Sequence, residues 1–318
     1  MRTALGIGAL TLGLLVALEG LAALRYTPTY FPQPVEDGTF RLDPWLGHAL
    51  RADSQTPYRI NRLGFRGEEF PVQKPDGERR VVLLGDSITF GWELLSEQEP
   101  YPAVLQSFLP DSTRVINAGV PSYTSLQVLR HLERDVWPLD PDVLAVLVGW
   151  NDIAFALRAD WAPGLELRAW IPRVNPALWQ FAVALTHPGQ SQRRSTPLPA
   201  VALYAYRQHL ERIVAEAGER HVPLILVGLP TVLSQAGNAP SEVAKAAPYR
   251  VADVQAADAI WAEVCAAHPA VTCPDILGLG EQGKAAYFTD WCHLTTAGAR
   301  IMGARLAAIV APLLDDMD

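Results

Sequence analysis

The sequence is poor in cysteine and in clustered positive charge. Only three of its 318 residues are cysteines, and no two of them form a C-x-x-C pair, which excludes a zinc ribbon and a thioredoxin-like motif. Lys and Arg number 26 against 34 Asp and Glu, so the formal net charge is -8, and no basic cluster exceeds a pair such as Arg193-Arg194. An acidic surface repels phosphate backbones, and we therefore expect no nucleic-acid partner.

Charge is almost absent from the N-terminal segment. Between residues 3 and 24 the only charged side chain is Glu19, and the stretch is long enough to span a bilayer as a helix. A cleavable signal peptide is the alternative, with Leu5 to Leu18 as its apolar region and small residues near 20–23 as its cleavage site. Both interpretations place the rest of the chain outside the cytoplasm, either anchored to the membrane or secreted after cleavage.

The remainder divides into a stalk region and a larger domain. Residues 26–39 are rich in proline and predict a stalk, and residues 40–79 predict a few short strands packed on the domain that follows. We expect the anchor or signal peptide over residues 1–25, the stalk and extension over 26–79, and a catalytic domain over 80–316.

Short apolar runs alternate with helical patterns along the larger domain. We predict helices at 101–109, at 124–137, around 203–217, and over 249–267 and 297–314. This alternation is typical of a parallel sheet covered by helices on both faces. The predicted strands are Val81–Leu84, Arg114–Asn117, Val143–Val148, Leu224–Val227 and a weak fifth strand near Val271.

An insertion over residues 155–199 interrupts this alternation. Asn175-Pro176 predicts a helix start, and the helix body, 177–185, is apolar around most of its circumference. Two interpretations stay open: the helix packs wholly into the domain, or it forms a lid over the site. In the second case Trp179 and Phe181 contact the substrate. Trp150, outside the insertion, is a further candidate for a substrate contact.

A serine follows the first predicted strand, in Gly85-Asp86-Ser87-Ile88-Thr89-Phe90-Gly91. A serine in a tight strand-to-helix turn presents its hydroxyl outward, and its backbone N–H can face a developing oxyanion. The string is not G-x-S-x-G, so the α/β-hydrolase elbow does not match. An ordinary loop turn is the other interpretation.

Three more polar strings are of interest, two that follow predicted strands and one that precedes the last helix. In open parallel sheets, ligand sites form at the carboxyl ends of the strands. Gly119 allows a backbone N–H to approach a ligand, although it can simply mark a turn. Asn151 offers an amide donor for an oxyanion, or else caps a helix. Asp290, three residues before His293, can fix the imidazole tautomer and leave the other ring nitrogen as a base, unless the pair is only a solvated turn.

The four strings resemble, in the same order, the blocks of the SGNH (GDSL-type) hydrolases. Ser87 matches the nucleophile, Gly119 and Asn151 the oxyanion-hole residues, and Asp290 and His293 the acid and base of the triad. The usual Gly-Asp-Ser-Leu is Gly-Asp-Ser-Ile here, and the resemblance covers about residues 80–314. In addition, Asn61 and the string Gly64-Phe65-Arg66-Gly67 resemble the lead-in of a bacterial, membrane-anchored subgroup.

The resemblance implies a three-layer α/β/α sandwich with a five-stranded, flavodoxin-like parallel sheet. It also implies a serine esterase that needs no metal or cofactor and acts on small acyl esters or acylated carbohydrate. Two alternatives remain, a polysaccharide O-acyltransferase and a non-catalytic carbohydrate-binding module. Export permits one disulfide, in which Cys273 pairs with either Cys265 or Cys292.

Overall fold

The computed structural model of the chain describes residues 2–24, 38–43, 45–55, 57–156, 178, 200–233, 251–281 and 284–315. Apart from residue 178, the expected helix over 177–185, with Trp179 and Phe181, lies outside these residues, as do most of the insertion and most of the stalk. All five residues predicted for the triad and the oxyanion hole fall within the described ranges.

The core of the domain is a parallel β-sheet whose strands coincide with the apolar runs. It contains β3 (Arg79–Gly85), β4 (Thr113–Gly119), β5 (Val143–Leu147) and β6 (Leu224–Leu226), in the order β4-β3-β5-β6. Consecutive residues of β3 are buried on both faces, as expected for a strand inside a parallel sheet.

The predicted fifth strand is reduced to a single bridge. Thr272 pairs with Ile225 in parallel, and its backbone exchanges hydrogen bonds of 2.8 and 3.0 Å with Leu226 and Leu224. The segment therefore lies beside β6, in the fifth position. It does not extend as a ladder, because Pro274 follows and has no N–H to donate. Among the described residues the regular sheet has four strands instead of five.

Helices cover both faces of this sheet. On one side α3 (Tyr101–Gln106) packs against α8 (Thr296–Asp315). A second group consists of α6 (Ala200–Glu219), which packs against α4 (Ser125–His131) and α7 (Val251–Ala267). Because the interior strands are buried on both faces, the two groups form the outer layers of an α/β fold with a central parallel sheet.

The helix predicted over 124–137 changes its winding before its end. It is α-helical to His131, continues as a π-helical turn over Leu132–Val136, and tightens into a 3₁₀ turn over Trp137–Leu139. Pro138 has no N–H, so the α-helical hydrogen-bond pattern cannot pass through it. One more 3₁₀ turn, Ala285–Tyr287, precedes α8.

The segment before the sheet contains the expected short strands. β1 (Phe40–Asp43) and β2 (Gly47–Leu50) pair in antiparallel register and are called the N-terminal hairpin below. Asp43 Oδ1 accepts the backbone N–H groups of the two residues that lead into β2, at 2.9 Å each, which closes the turn.

Arg66 joins the rest of this extension to the domain. Its buried guanidinium donates to the carbonyl oxygens of Phe90, Gly91 and Leu94, the first two at 2.9 and 2.8 Å. It also stacks on the rings of Tyr58 and Phe90, 4.7 and 4.9 Å from their centroids. These carbonyls lie at and just after the end of the helix that carries the candidate nucleophile. The extension therefore stabilises the end of that helix.

Two helices are strongly apolar, as a membrane-spanning helix is. Among the described residues, α8 is long and apolar enough to span a membrane, with a mean hydropathy of 1.4. It is nevertheless a core helix, because Met302, Leu306 and Val310 are buried. The other is α1 (Arg2–Ala22), which exposes large apolar side chains, among them Leu10, Leu12, Val16 and Leu21.

The structure selects one of the two cysteine pairings. Cys265, in α7, forms a disulfide with Cys273, beside the bridge to β6. Cys292 is free and buried. The disulfide therefore ties the end of a helix to the edge of the sheet.

Candidate active site

Ser87 lies in a tight turn between β3 and α2 (Ser87–Phe90). Asp86 caps this short helix, and its Oδ1 accepts the N–H of Ile88 at 3.0 Å. The turn requires glycine before it, because a Cβ atom at Gly85 would lie 2.3 Å from Thr89 Oγ1 and 2.4 Å from Leu147 O. Ser87 is half-buried and lies at the carboxyl end of β3, an interior strand of the sheet.

Ser87, His293 and Asp290 form a continuous chain of hydrogen bonds. Ser87 Oγ lies 2.8 Å from His293 Nε2, and His293 Nδ1 lies 2.6 Å from Asp290 Oδ2. A carboxylate only accepts, so Nδ1 carries the proton and Nε2 is left to accept the serine proton. Asp290 Oδ1 accepts the backbone N–H groups of Cys292 and His293 at 2.9 and 2.8 Å, which fixes the carboxylate plane.

The carboxylate controls the protonation of this chain. Burial by itself lowers the pKa of His293, but the hydrogen bond and the negative charge of Asp290 outweigh burial and raise that pKa above 6.5. Burial likewise raises the pKa of Asp290, and the hydrogen bond and charge of His293 overcome it and lower that pKa. An ionised Asp290 that raises the pKa of the neighbouring imidazole suits a general base.

The raised pKa of His293 has a measurable consequence. A general base must be neutral, so activity should be lost as pH falls through the pKa of His293. We expect kcat/KM for an acyl ester to rise with pH and to reach half of its maximum above pH 6.5. Measurement from pH 5 to 9 tests this, and a profile that is flat between pH 5 and 8 would contradict it.

Asn151 follows β5, the strand next to β3, and lies in the first turn of α5 (Trp150–Ala156). Its Nδ2 donates to Tyr123 O at 3.0 Å and lies 3.4 Å from Asp86 Oδ2. Burial raises the pKa of Asp86 to about 7. The amide is therefore held between the turn of the nucleophile and the loop after β4.

The N–H of Gly119, expected to face an oxyanion, has a partner within the structure. It donates to Asn117 Oδ1 at 3.0 Å. A Cβ atom here would lie 2.2 Å from Phe90 N, so the glycine permits close packing of β4 on α2. Ser122 lies in the loop that follows β4 and has a φ of 68°, a conformation that residues other than glycine rarely adopt.

Trp150, expected to contact substrate, is buried in the structure. Only 3% of its surface is exposed, and its indole N–H donates to Pro230 O at 3.0 Å. The ring therefore packs in the core beneath the site, and this burial does not support a contact with substrate. Trp179 and Phe181 lie outside the described residues.

Several other histidines have structural partners. His131 Nδ1 contacts Asp135 at 2.7 Å, and His268 Nε2 contacts Glu211 at 2.6 Å. His209 Nδ1 contacts the hydroxyl of the buried Ser125 at 2.7 Å. None of these serines or acids belongs to the hydrogen-bonded chain of Ser87.

Sequence reasoning missed Asp152 and Tyr123. Asp152 accepts from both the N–H and the hydroxyl of Ser125, at 2.9 and 2.6 Å, and so joins α5 to the start of α4 next to Asn151. Tyr123 acts through its main-chain oxygen. The position of Asp152 next to Asn151 is a signal that could have identified it. A backbone carbonyl such as that of Tyr123 leaves no signal in the sequence.

Comparison with known proteins adds a family match. A model of the GDSL-like lipase/acylhydrolase family matches residues 83–301. No curated protein matches the sequence.

Several solved structures are similar to this chain. A lipase/acylhydrolase from Enterococcus faecalis is 22% identical, with 73% of this chain and 95% of that chain covered and a TM-score of 0.47. A GDSL-like lipase from Bacteroides thetaiotaomicron is 17% identical, with coverages of 76% and 92% and a TM-score of 0.47. An acetyl xylan esterase is 15% identical, with coverages of 73% and 99% and a TM-score of 0.48.

Proposed function

The chain belongs to the GDSL-like lipase/acylhydrolase family, whose model spans well over half of it, and from this premise we propose that it is a serine esterase with Ser87 as its nucleophile. The family establishes an ester-hydrolysing enzyme only in general terms. Our proposal adds the residues, the reaction steps and the substrate class, which is an O-acyl ester of a carbohydrate or another small alcohol.

One observation carries the proposal, namely the unbroken hydrogen-bonded chain from Asp290 through His293 to Ser87. Its three members come from the end of β3 and from the turn before α8, which are about 200 residues apart in sequence. A nucleophile, a base within hydrogen-bond reach and a third group that orients the base form the arrangement needed for acyl transfer.

The reaction then has two halves. His293 Nε2 takes the proton of Ser87 Oγ as the oxygen attacks the ester carbonyl, and the imidazolium returns that proton to the departing alcohol. A water molecule gives its proton to the same nitrogen and attacks the acyl-enzyme, which releases the acid and restores the Ser87 hydroxyl. The Ser87 N–H and the Asn151 amide stabilise the oxyanion in both tetrahedral intermediates.

A panel of acyl esters tests this proposal most directly. Purified protein is incubated with acetyl and longer acyl esters of simple alcohols and of sugars, with and without a polysaccharide acceptor. We expect release of free acid in equal yield with or without the acceptor. Transfer of the acyl group to the acceptor would assign an O-acyltransferase instead, and no turnover of any ester would contradict the proposal.

We further propose that α1 anchors the enzyme in a membrane, with the catalytic domain outside the cytoplasm. The apolar side chains that α1 exposes favour a lipid environment, and the Cys265–Cys273 disulfide suits an oxidising compartment. The similarity of the Gly64–Gly67 lead-in to a membrane-anchored subgroup supports the same view. Mass spectrometry of the mature N-terminus separates an anchor from a cleaved signal peptide, and full-length active enzyme in the cytosolic fraction would contradict both.

A further inference from the structure

The loop between β4 and α4, residues 120–124, holds the Asn151 amide in place. Tyr123 O accepts from Asn151 Nδ2 at 3.0 Å. At its start the same loop is tied to the strand of the nucleophile, because the N–H of Val120 donates to Gly85 O at 3.0 Å. The position of the amide relative to Ser87 therefore depends on the conformation of this loop.

The loop itself is clamped by the N-terminal hairpin through one residue, His48. His48 Nε2 lies 2.8 Å from Pro121 O, and since a carbonyl oxygen only accepts, Nε2 carries the hydrogen. The hydroxyl of Tyr123 donates to His48 O at 2.8 Å. The two rings also meet edge to face, with centroids 4.9 Å apart and planes at 87°.

The two hydrogen bonds of His48 flank a loop residue with an unfavourable backbone conformation. Ser122 lies between Pro121 and Tyr123, with φ of 68°. A serine adopts this conformation only when its surroundings impose it. His48 contacts the residue on each side of Ser122, and it is buried in the domain. The hairpin thus supplies hydrogen bonds that hold the loop in this form.

We propose that His48 is a positioning residue for the oxyanion hole, acting through the loop that carries Tyr123 O and so through the Asn151 amide. The inference rests on the proposed esterase function, in which Asn151 stabilises the oxyanion. His48 touches neither substrate nor the reacting atoms. The N-terminal hairpin is then a working part of the active site, although it lies before the segment that the family model matches.

Two substitutions separate the donor from the ring. Phenylalanine at position 48 keeps a ring and removes the Nε2 donor, whereas glutamine places an amide nitrogen the same number of bonds from the backbone. We expect His48→Phe to lower kcat about 10²-fold with KM changed less than about threefold, as for a displaced catalytic group. His48→Gln should recover most of that loss.

A double-mutant cycle identifies the route of the effect. Asn151→Ala alone should lower kcat by about 10²–10³-fold. If His48 acts through the amide, adding His48→Phe to Asn151→Ala should slow the enzyme less than twofold further. If His48→Phe retains the wild-type kcat, or if the two losses multiply in the double variant, the inference is overturned.

Controls keep the test independent of folding and of the proposed function. Arg130, in α4, donates to Trp45 O at 3.1 Å and so holds the hairpin at a place away from the loop. Arg130→Met removes this hydrogen bond, and the variant should have a lower melting temperature with an unchanged kcat. If His48→Phe does not fold, Tyr123→Phe removes the hydroxyl from the same clamp and enters the cycle in its place. A wild-type protein that hydrolyses no ester refutes the esterase, whereas an active wild type with an additive cycle refutes only the role of His48.

Discussion

Replacing Ser87 with alanine is expected to lower kcat for ester hydrolysis by about 10⁶-fold, close to the detection limit. The substitution removes the only oxygen that His293 Nε2 contacts within the hydrogen-bonded chain, at 2.8 Å. Without it no acyl-enzyme forms, and the remaining oxyanion donors can act only on attack by water. The melting temperature should change little, because the side chain is half-buried and packs at the mouth of the site.

A matched serine provides the control for this variant. Ser107 is exposed at the end of α3, where its hydroxyl donates to Val104 O at 2.7 Å, and Ser107→Ala should keep full activity. A fluorophosphonate should label Ser87 in the wild type and in Ser107→Ala but not in Ser87→Ala. Labelling of a different serine, or turnover by Ser87→Ala near the wild-type rate, would eliminate the proposed nucleophile.

Asp290→Asn should reduce kcat by about 10⁴-fold while leaving the fold intact. Asp290 Oδ1 accepts two backbone N–H groups, so the oxygen of an asparagine would keep that position. The amide nitrogen would then face His293 Nδ1, at the place of Oδ2. Since an amide nitrogen only donates, Nδ1 would have to accept, and the ring proton would move to Nε2, where it blocks the transfer from Ser87.

Kinetics at the optimum pH and across pH distinguish this effect from general damage. Loss of the carboxylate charge should also move the residual kcat/KM profile to lower pH, since Asp290 raises the pKa of His293. Asp142→Asn is the matched control. Asp142 accepts from the Arg80 N–H at the amino end of the sheet, and its replacement should cost stability without changing kcat. An Asp290→Asn enzyme within tenfold of wild type would refute the assignment.

Much of the fold could be predicted because its signals are local. The run from Val81 to Leu84 is continuously apolar, as expected for a parallel strand covered on both faces, and it forms the centre of β3. The family match is consistent with the resemblance drawn from four short strings. Those strings also placed Ser87, Asp290 and His293 at positions that the structure brings within hydrogen-bond distance.

What the sequence left open, or could not supply, is what tertiary contacts decide. Gly119 has the residue type of an N–H donor to a ligand, but its own N–H is taken by Asn117, a contact that spacing along the chain cannot foretell. The choice of Cys265 over Cys292 as the partner of Cys273 depends on where α7 ends in space. The predicted fifth strand stops at one bridge because a proline interrupts hydrogen bonds that apolar patterning alone would allow.

The contacts of Arg66 determine where the chain can be shortened. Its guanidinium satisfies three carbonyl oxygens at the end of the nucleophile helix, and a protein starting at residue 80 would leave them without this donor. Such a truncation would also uncover the apolar surface on which Leu46, Ile60 and Phe65 pack. Sequence similarity to the family begins at residue 83. We therefore expect the smallest fragment that folds on its own to begin about 40 residues earlier, at the hairpin.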